Sequence, residues 1–318
     1  MKTIGVIGLA GMGLRRLECL ASIGSARADH LCTLNEALLA ERANQFGVDK
    51  TTTDWRALLA DELLDAVCIC TPNNLHAEIA EAAMLAGKDV LLEYPMAVSL
   101  EQVDRLVAVA EQTGRVLHVG TTTRHEPQHL AVRERLGQLG ELVAVRGAMA
   151  MPEVCKWYGR PEAFGSFFAL ANFHFADQVA DWFGPPAWVS GSLWQRQAGP
   201  ELSATSASMF FGYDGGASGH ISYTMGLPAQ RDFLRFELIG TDSRFTWRDR
   251  VLTHHRPDGS AEELLLVDTD PSLRDTEQFI RELLGEQPPC PPAEAAVTTR
   301  LCLLAEQSAR SGHVAMPV

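Results

Sequence analysis

The segment Thr3-Ile4-Gly5-Val6-Ile7-Gly8-Leu9-Ala10-Gly11-Met12-Gly13 decides the fold of the first part of the chain. Its apolar run predicts a buried strand, and a helical pattern begins at Met12. The turn between them reads G-x-A-x-x-G, with Ala10 at the second glycine of the usual dinucleotide fingerprint. One methyl group there is a small obstacle to a pyrophosphate. We expect Gly8, Ala10, Gly11 and Met12 to bind the diphosphate, which the amides at the helix start would hold.

The remainder of the first 120 residues alternates short apolar runs with helical patterns. Strands are predicted at 3–8, 30–34, 64–70, 89–93 and 116–120, and helices at 12–21, 36–46, 55–60, 75–86 and 100–112. This alternation predicts a doubly wound parallel sheet covered on both faces. We therefore assign residues 1–120 to an NAD(P)-binding Rossmann-type domain within an α/β fold.

The pattern changes after residue 120. A strand is predicted at 141–151 and several more between 188 and 267, with helices at 129–139, 166–183, 272–284 and 293–311. Residues 121–318 are expected to form an α+β domain for substrate binding, with helices on one face of a large, open, mainly antiparallel sheet. Since an open sheet face needs a cover, a homodimer or homotetramer through this sheet is expected.

Composition excludes several classes of protein. The chain has 27 Lys+Arg against 40 Asp+Glu, a net charge of −13, which argues against nucleic-acid binding. The apolar start at 1–7 is interrupted by glycines and arginines, so it does not resemble a signal peptide, and no run approaches the roughly 20 apolar residues of a membrane helix. The seven scattered cysteines are typical of reduced packing residues rather than a metal site. A cytoplasmic protein without membrane partners is expected.

The region after the second predicted strand bears on the choice of cofactor. Thr33 and Asn35 occupy the positions where an NAD enzyme usually carries an acid for the ribose hydroxyls. A missing acid removes repulsion against a 2′-phosphate, and Arg15 or Arg16 could pair with that phosphate. We expect Thr33 and Asn35 to contribute to binding of NAD(P)(H), with a preference for NADP(H). The alternative is that both arginines are solvated helix residues.

Two later stretches carry a family resemblance. They are Cys70-Thr71-Pro72-Asn73-Asn74-Leu75-His76 and Ala86-Gly87-Lys88-Asp89-Val90-Leu91-Leu92-Glu93-Tyr94-Pro95-Met96. They resemble the T-P-N and A-G-K-x-V-x-x-E-K-P motifs of the Gfo/Idh/MocA family of NAD(P)-dependent oxidoreductases. The resemblance extends through 124–127 and 173–177 and so covers essentially the whole chain. It implies a Rossmann domain followed by an α/β domain whose open sheet often packs in oligomers.

The resemblance also implies roles for individual residues. Thr71, Pro72, Asn74 and His76 would line the adenine–ribose and nicotinamide side of the cofactor. Glu93 and Pro95 would shape the loop under the nicotinamide. His174 would face the substrate.

The chain departs from the family's sugar dehydrogenases at two positions. Those enzymes carry Lys where this chain has Tyr94, and Asp where it has Leu170. Glu-Tyr-Pro-Met at 93–96, with Leu117-His118, is similar to the biliverdin reductase branch. That branch's His-x-Glu-His run is missing, since 118–121 reads His-Val-Gly-Thr.

Candidate catalytic residues follow from this pattern. The Tyr94 hydroxyl suits proton donation to a developing anion, and His174 is expected to titrate nearer neutrality and to serve as a general acid. Both also have structural interpretations, as packing and interface residues. Three residues are candidates on the substrate side: Arg124, which could bind a carboxylate or form an ion pair, Trp157, which could wall an apolar substrate, and Asp177, which could orient His174 or form a surface pair.

Three functions stay open on the sequence. The first is an NAD(P)H-dependent reductase of a C=C, C=N or C=O bond in a small molecule. The second is a sugar or cyclitol dehydrogenase in which Tyr94 replaces the lysine. The third is a non-catalytic NAD(P)-binding sensor or accessory protein.

Overall fold

The computed structural model describes residues 1–152, 161–198, 201–226, 233–248, 251–288 and 290–318. The chain divides into two compact units. The first comprises Met1–His125 and Asp270–Ala296, and the second comprises Glu126–Thr269 and Val297–Val318. The sequence places everything after residue 120 in the second domain, whereas Asp270–Ala296 fold with the first unit.

The first unit has a six-stranded parallel sheet in the order β3-β2-β1-β4-β5-β6. Its strands are β1 (Lys2–Ile7), β2 (Ala26–Cys32), β3 (Lys50–Thr52), β4 (Ala66–Ile69), β5 (Asp89–Leu92) and β6 (Leu117–Val119). The intervening helices are α1 (Met12–Ser22), α2 (Glu36–Phe46), α3 (Trp55–Leu59), α4 (His76–Leu85) and α5 (Leu100–Thr113). The predicted Rossmann-type fold is confirmed.

Local signals set several of these helix boundaries. Asp54 and Ser99 accept hydrogen bonds from the amides of Arg56 and Gln102 and so begin α3 and α5 as the sequence predicts. Gly47 and Gly114 end α2 and α5 in the left-handed conformation.

The second unit contains a nine-stranded sheet in its described residues, in the order β14-β13-β12-β11-β7-β10-β9-β8-β15. Its strands are β7 (Leu142–Met151), β8 (Trp188–Ala198), β9 (Glu201–Gly212), β10 (Ser218–Met225), β11 (Phe233–Gly240), β12 (Arg244–Arg248), β13 (Val251–His255), β14 (Ala261–Glu263) and β15 (Met316–Pro317). All neighbours are antiparallel except β7 and β10, which run parallel. The sheet is therefore mixed but mainly antiparallel, as expected.

The helices of the second unit differ in detail from the prediction. Three of them are α6 (Pro127–Arg133), α7 (Pro161–Phe164) and α8 (Phe173–Phe183). The helix predicted at 129–139 ends at Arg133 and is followed by a 3₁₀ turn at Leu136–Gln138. The helix predicted at 166–183 contains a π-helical stretch at Phe168–Asn172 before α8.

Two helices complete the chain, α9 (Pro271–Leu283) and α10 (Pro292–Arg310). Phe279 and Ile280 of α9 are at most 2% exposed and belong to the hydrophobic core under β1, β2 and β4. This burial explains why α9 folds with the first unit. No helix in the described part of the chain is both long and apolar enough to cross a membrane.

Candidate functional site

The glycine-rich turn connects β1 to α1 with very little space. A Cβ atom on Gly13 would lie 1.8 Å from the carbonyl oxygen of Gly8, and one on Gly8 would lie 2.3 Å from that of Cys70. Gly8 and Gly11 both have positive φ angles. Ala10 is exposed, so its methyl group does not disturb the turn.

The start of α1 offers backbone donors to an anion. No side chain caps the helix at Gly11, and its first turn, from Met12, carries no acidic residue. Backbone amides at a helix start, together with the positive end of the helix dipole, suit a diphosphate. The residues present fit the dinucleotide expected from the sequence.

Thr33 and Asn35, the residues expected at the ribose end of the candidate cofactor site, carry no charge. Thr33 is half-buried after β2, and Leu34 and Asn35 are exposed. The Asn35 side chain accepts a hydrogen bond from the Leu38 amide at 3.1 Å, so it also serves as the N-cap of α2. Glu36 begins the helix, as the sequence predicts.

The arginine expected to accompany a 2′-phosphate is engaged elsewhere. Arg16 is fully buried, with its guanidinium against Glu93 and Asp275. Arg15 is partly exposed and pairs with Asp270 and Glu18. The expectation that Arg16 contacts a phosphate is wrong, and so is the alternative that it is a solvated helix residue, because it is fully buried and α9 supplies one of its two carboxylate partners.

The ends of β4 and β5 are tied together by His76. Its Nδ1 lies 2.8 Å from the carbonyl oxygen of Pro95, and its Nε2 lies 2.9 Å from that of Thr71. Burial lowers the pKa of His76, so the ring is neutral at pH 7 and donates to one carbonyl at a time. Since the side chain is 1% exposed, it positions two loops and is not free to line a cofactor.

The other motif residues of this edge differ in exposure. Pro72 and Asn74 are exposed, while Thr71 is half-buried. Tyr94 is half-buried and precedes Pro95 through a cis peptide bond. Exposed groups at the carboxyl ends of parallel strands are where ligands bind in open α/β sheets.

Glu93 is held inside the first unit. Nε of Arg16 lies 2.7 Å from its Oε1, and only 5% of the residue is exposed. Burial raises the pKa of Glu93, although the Arg16 guanidinium opposes that rise. The Glu93 carboxylate therefore faces Arg16 inside the first unit and is not presented to solvent.

His174 lies in the first turn of α8, directly after the π-helical stretch. Burial lowers its pKa to about 4, against the opposing effect of the Asp177 carboxylate. His174 is half-buried, and a pKa of about 4 lies below the expected titration near neutrality, so the ring carries no charge at pH 7. A neutral imidazole can donate one hydrogen bond and accept another.

Two of the candidate substrate residues interact with other polar side chains of their own unit. Asp177 is fully buried and accepts a hydrogen bond from Thr298 at 3.1 Å. Arg124 is 6% exposed, and its Nη1 lies 2.9 Å from Oε1 of Glu294. This geometry matches the ion-pair alternative for Arg124. Trp157 lies outside the described residues.

The sequence did not reveal a group of buried charges in the first unit. Asp275 and Glu282 of α9 face His118 of β6, while Asp275 also faces Arg16. The available signal was the spacing of Asp275, Gln278 and Glu282, which puts three polar side chains on one helix face beside Phe279. From the sequence alone, a polar helix face is interpreted as solvent-exposed, because the residues that pack against it are not known.

Comparison with known proteins places these features in one family. Residues 2–121 match the family model GFO_IDH_MocA, an oxidoreductase family with an NAD-binding Rossmann fold. Residues 129–246 match the GFO/IDH/MocA C-terminal domain.

Individual proteins are also similar. The chain superposes on biliverdin reductase from Synechocystis sp. PCC 6803, solved with biliverdin and NADP+, with a TM-score of 0.88 and 25% identity over 96% of this chain and 98% of that one. It is 35% identical to 1,5-anhydro-D-fructose reductase of Ensifer adhaerens over 146 residues, 44% of each chain. It is 31% identical to myo-inositol 2-dehydrogenase of Thermotoga maritima over 140 residues, 43% of this chain and 42% of the relative. The match thus spans less than half of either curated relative.

Proposed function

Because the chain belongs to the Gfo/Idh/MocA family of oxidoreductases, we propose that it is an NAD(P)H-dependent reductase of a small organic molecule. The reducible bond is a conjugated C=C, C=N or C=O group. The observation that carries this proposal is the replacement of two ionisable groups of the family's sugar dehydrogenases, at Tyr94 and Leu170.

Leu170 lies where those dehydrogenases have an aspartate. It sits in the π-helical stretch and is 3% exposed, so it contributes packing and no charge. Without the lysine and the aspartate, deprotonation of a sugar hydroxyl loses two of its three usual groups. Reduction needs a hydrogen-bond or proton donor instead, and the Tyr94 hydroxyl is one. The likeness to biliverdin reductase supports this direction of reaction.

The cofactor would bind along the carboxyl edge of the six-stranded sheet. Gly8, Ala10, Gly11 and Met12 would hold the diphosphate, Thr33 and Asn35 the adenosine ribose, and Thr71, Pro72, Asn74 and Pro95 the remaining length. A bound nicotinamide would supply hydride. The preference for NADP(H) rests on the uncharged side chains of Thr33 and Asn35, since Arg16 is buried and Arg15 is paired with Glu18 and Asp270.

Tyr94 and His174 remain the proposed catalytic residues. Tyr94 would donate a hydrogen bond or proton to the anion that forms as the substrate accepts hydride. His174, neutral at pH 7, would orient the substrate as donor or acceptor rather than act as an imidazolium acid. Asp177, held by Thr298, would influence His174 through its charge.

The second candidate is a sugar or cyclitol dehydrogenase. The similarity to myo-inositol 2-dehydrogenase of Thermotoga maritima favours it, since that relative is named as a cyclitol dehydrogenase. In that case His174 would be the surviving member of the sugar-activating set. A small-molecule substrate, a cytoplasmic location and a homo-oligomer are further predictions.

The test is to measure binding of NADPH and NADH by fluorescence, followed by oxidation of the bound cofactor across an acceptor panel. The panel contains biliverdin, cyclic imines and keto-sugars, and NAD+ or NADP+ with polyols is run in parallel. Turnover of a bilin or imine is the expected result. Turnover of polyols alone would favour the dehydrogenase. Tight binding without turnover would favour a sensor, and no binding would overturn the proposal.

A further inference from the structure

Five charged side chains meet inside the first unit and form what we call the buried charge cluster. None is more than 7% exposed as a side chain. They come from three helices or strands and one loop: Arg16 (α1), Glu93 (the loop after β5), His118 (β6), and Asp275 and Glu282 (α9). Buried charges require partners, because an isolated one is costly.

Arg16 is the centre of the cluster. Its Nε lies 2.7 Å from Oε1 of Glu93, and its Nη1 lies 2.7 Å from Oδ2 of Asp275. The same Nη1 donates to the Thr276 hydroxyl at 2.8 Å. One guanidinium therefore connects the start of α1, the end of β5 and the second turn of α9.

His118 balances the acidic side of the cluster. Its Nδ1 lies 3.1 Å from both carboxylate oxygens of Glu282, and its Nε2 lies 3.3 Å from Oδ1 of Asp275. Gln278 donates to Glu282 at 3.3 Å. The carboxylate of Asp275 thus lies between two cations, which fixes α9 against the sheet.

The backbone is fitted to this arrangement at Gly120. A Cβ atom there would lie 2.7 Å from Nη2 of Arg16 and 3.2 Å from Oε2 of Glu93. Any side chain would displace the Arg16–Glu93 pair. The glycine after β6 is therefore part of the cluster's geometry.

Glu93 connects the buried charge cluster to the candidate site, because it directly precedes Tyr94 in the chain. Tyr94 lies in sequence between two residues that each have a buried polar contact. Glu93 is bound by Arg16, and the carbonyl oxygen of Pro95 faces His76 at 2.8 Å. The short segment that carries Tyr94 is thus held at both flanks by buried polar contacts.

From this geometry we infer that Arg16 and Asp275 are positioning residues, which hold the 93–95 segment so that the Tyr94 hydroxyl meets the substrate. The inference rests on the proposed function, in which Tyr94 acts on the reacting molecule. Neither residue touches the substrate. Small displacements of a catalytic group are enough to matter, since about 1 Å costs up to roughly hundredfold in rate.

The test uses the full chain with Arg16→Lys and Asp275→Asn, which keep size and most packing. The matched control is Lys88→Met. Lys88 is also buried, and its Nζ donates at 2.8 Å to the carbonyl oxygens of Asp61 and Leu64, but it precedes β5 at the opposite edge of the sheet. All three variants are expected to lower Tm. In the first two, kcat should fall about ten- to hundredfold while the NAD(P)H dissociation constant changes less than about threefold. Lys88→Met should leave kcat unchanged.

A second measurement does not depend on turnover. The four tyrosines are replaced by 3-fluorotyrosine, and the ¹⁹F signal of Tyr94 is assigned with Tyr94→Phe. We expect one sharp signal in the wild type and in Lys88→Met, and a shifted or multiple signal in Arg16→Lys and Asp275→Asn. An unchanged Tyr94 signal in a folded Asp275→Asn would overturn the inference. Absence of turnover in the wild type, with the expected ¹⁹F changes, would count against the proposed function and not against the positioning of the segment.

Discussion

At the scale of single residues, Gly13 is a position where adding one methyl group should disrupt the turn between β1 and α1. The Cβ of alanine would lie 1.8 Å from the Gly8 carbonyl oxygen, so the turn must open. Local strain of this kind costs about 1–3 kcal/mol. We expect Gly13→Ala to weaken NAD(P)H binding about ten- to hundredfold in a fluorescence titration.

The control for that prediction is Gly24→Ala. Gly24 is exposed and a Cβ there would meet no atom within 4 Å. This variant should bind the dinucleotide as the wild type does. Equal affinity in both variants would show that the diphosphate is not held by the turn.

Tyr94→Phe tests the hydroxyl without changing the ring. If Tyr94 donates to a developing anion, its loss should lower kcat by about a hundredfold or more, with NAD(P)H binding preserved. Steady-state kinetics on the acceptor identified in the panel provides the measurement. A kcat equal to that of the wild type would mean that Tyr94 packs against the cofactor and does not take part in the chemistry.

Residue types alone predict much of the candidate cofactor site but not the state of each group. The turn at 8–13 was predictable, because its glycines are required by close contacts with atoms nearby in the turn. The burial of Arg16 was not, since it depends on a helix about 255 residues later in the chain. The low pKa of His174 has a similar origin, because it arises from burial that no local pattern reports.

At the scale of elements, α9 is fixed to β6 by His118. Burial opposes protonation, but the Asp275 and Glu282 carboxylates raise the pKa of His118 to about 9. Because this pKa is above the ordinary value of 6.5, the protonated imidazole stabilises the fold. This stabilisation is fully present below about pH 6.5 and is lost as the pH rises through about 9. The shift corresponds to about 3 kcal/mol.

We therefore expect the wild type to lose about 3 kcal/mol of unfolding free energy between about pH 6.5 and 10 through this group. Urea unfolding across that range measures it. His118→Asn, which cannot ionise, should be less stable at pH 7 and should lack this part of the pH dependence. The difference between the two curves removes the contribution of lysines and tyrosines. Parallel curves would contradict the prediction.

The elements that the sequence predicts well are those with complete local signals. The capped helices α3 and α5 begin where Asp54 and Ser99 indicate. The three-residue strand β3 (Lys50–Thr52) was missed, because it is too short and too polar to show a period. The π-helical stretch at Phe168–Asn172 was merged into α8, since its composition is as apolar as the helix that follows.

At the scale of the whole molecule, the chain returns to its first unit after completing most of the second sheet. Asp270–Ala296 fold with Met1–His125. A linear pattern favours a single boundary near residue 120, where the strand–helix alternation stops. Only the contacts of α9 show that Asp270–Ala296 pack with the first unit. These contacts involve buried apolar residues such as Phe279 and the buried charge cluster.

The sheet of the second unit leads to a prediction about assembly. On β9 and β10 every second residue points away from the core. These residues are Ser206, Ser208 and Phe210, paired with Thr224, Ser222 and His220, and all are half-buried except Phe210, which is exposed. Phe210 is 42% exposed and stacks on His220 at 4.5 Å, and Trp194 of β8 is 48% exposed. Small residues between exposed aromatic ones allow a second surface to approach closely.

We expect the wild type to form a dimer or tetramer through this face, measured as molar mass by light scattering after size-exclusion chromatography. Phe210→Glu should shift the population toward the monomer, because the contact would then bury an unpaired charge. Leu85→Glu is the control, since Leu85 is an exposed leucine of the first unit, 60% accessible, and should leave the mass unchanged. A monomeric wild type, or a Phe210→Glu variant with the mass of the wild-type oligomer, would exclude this face as the interface.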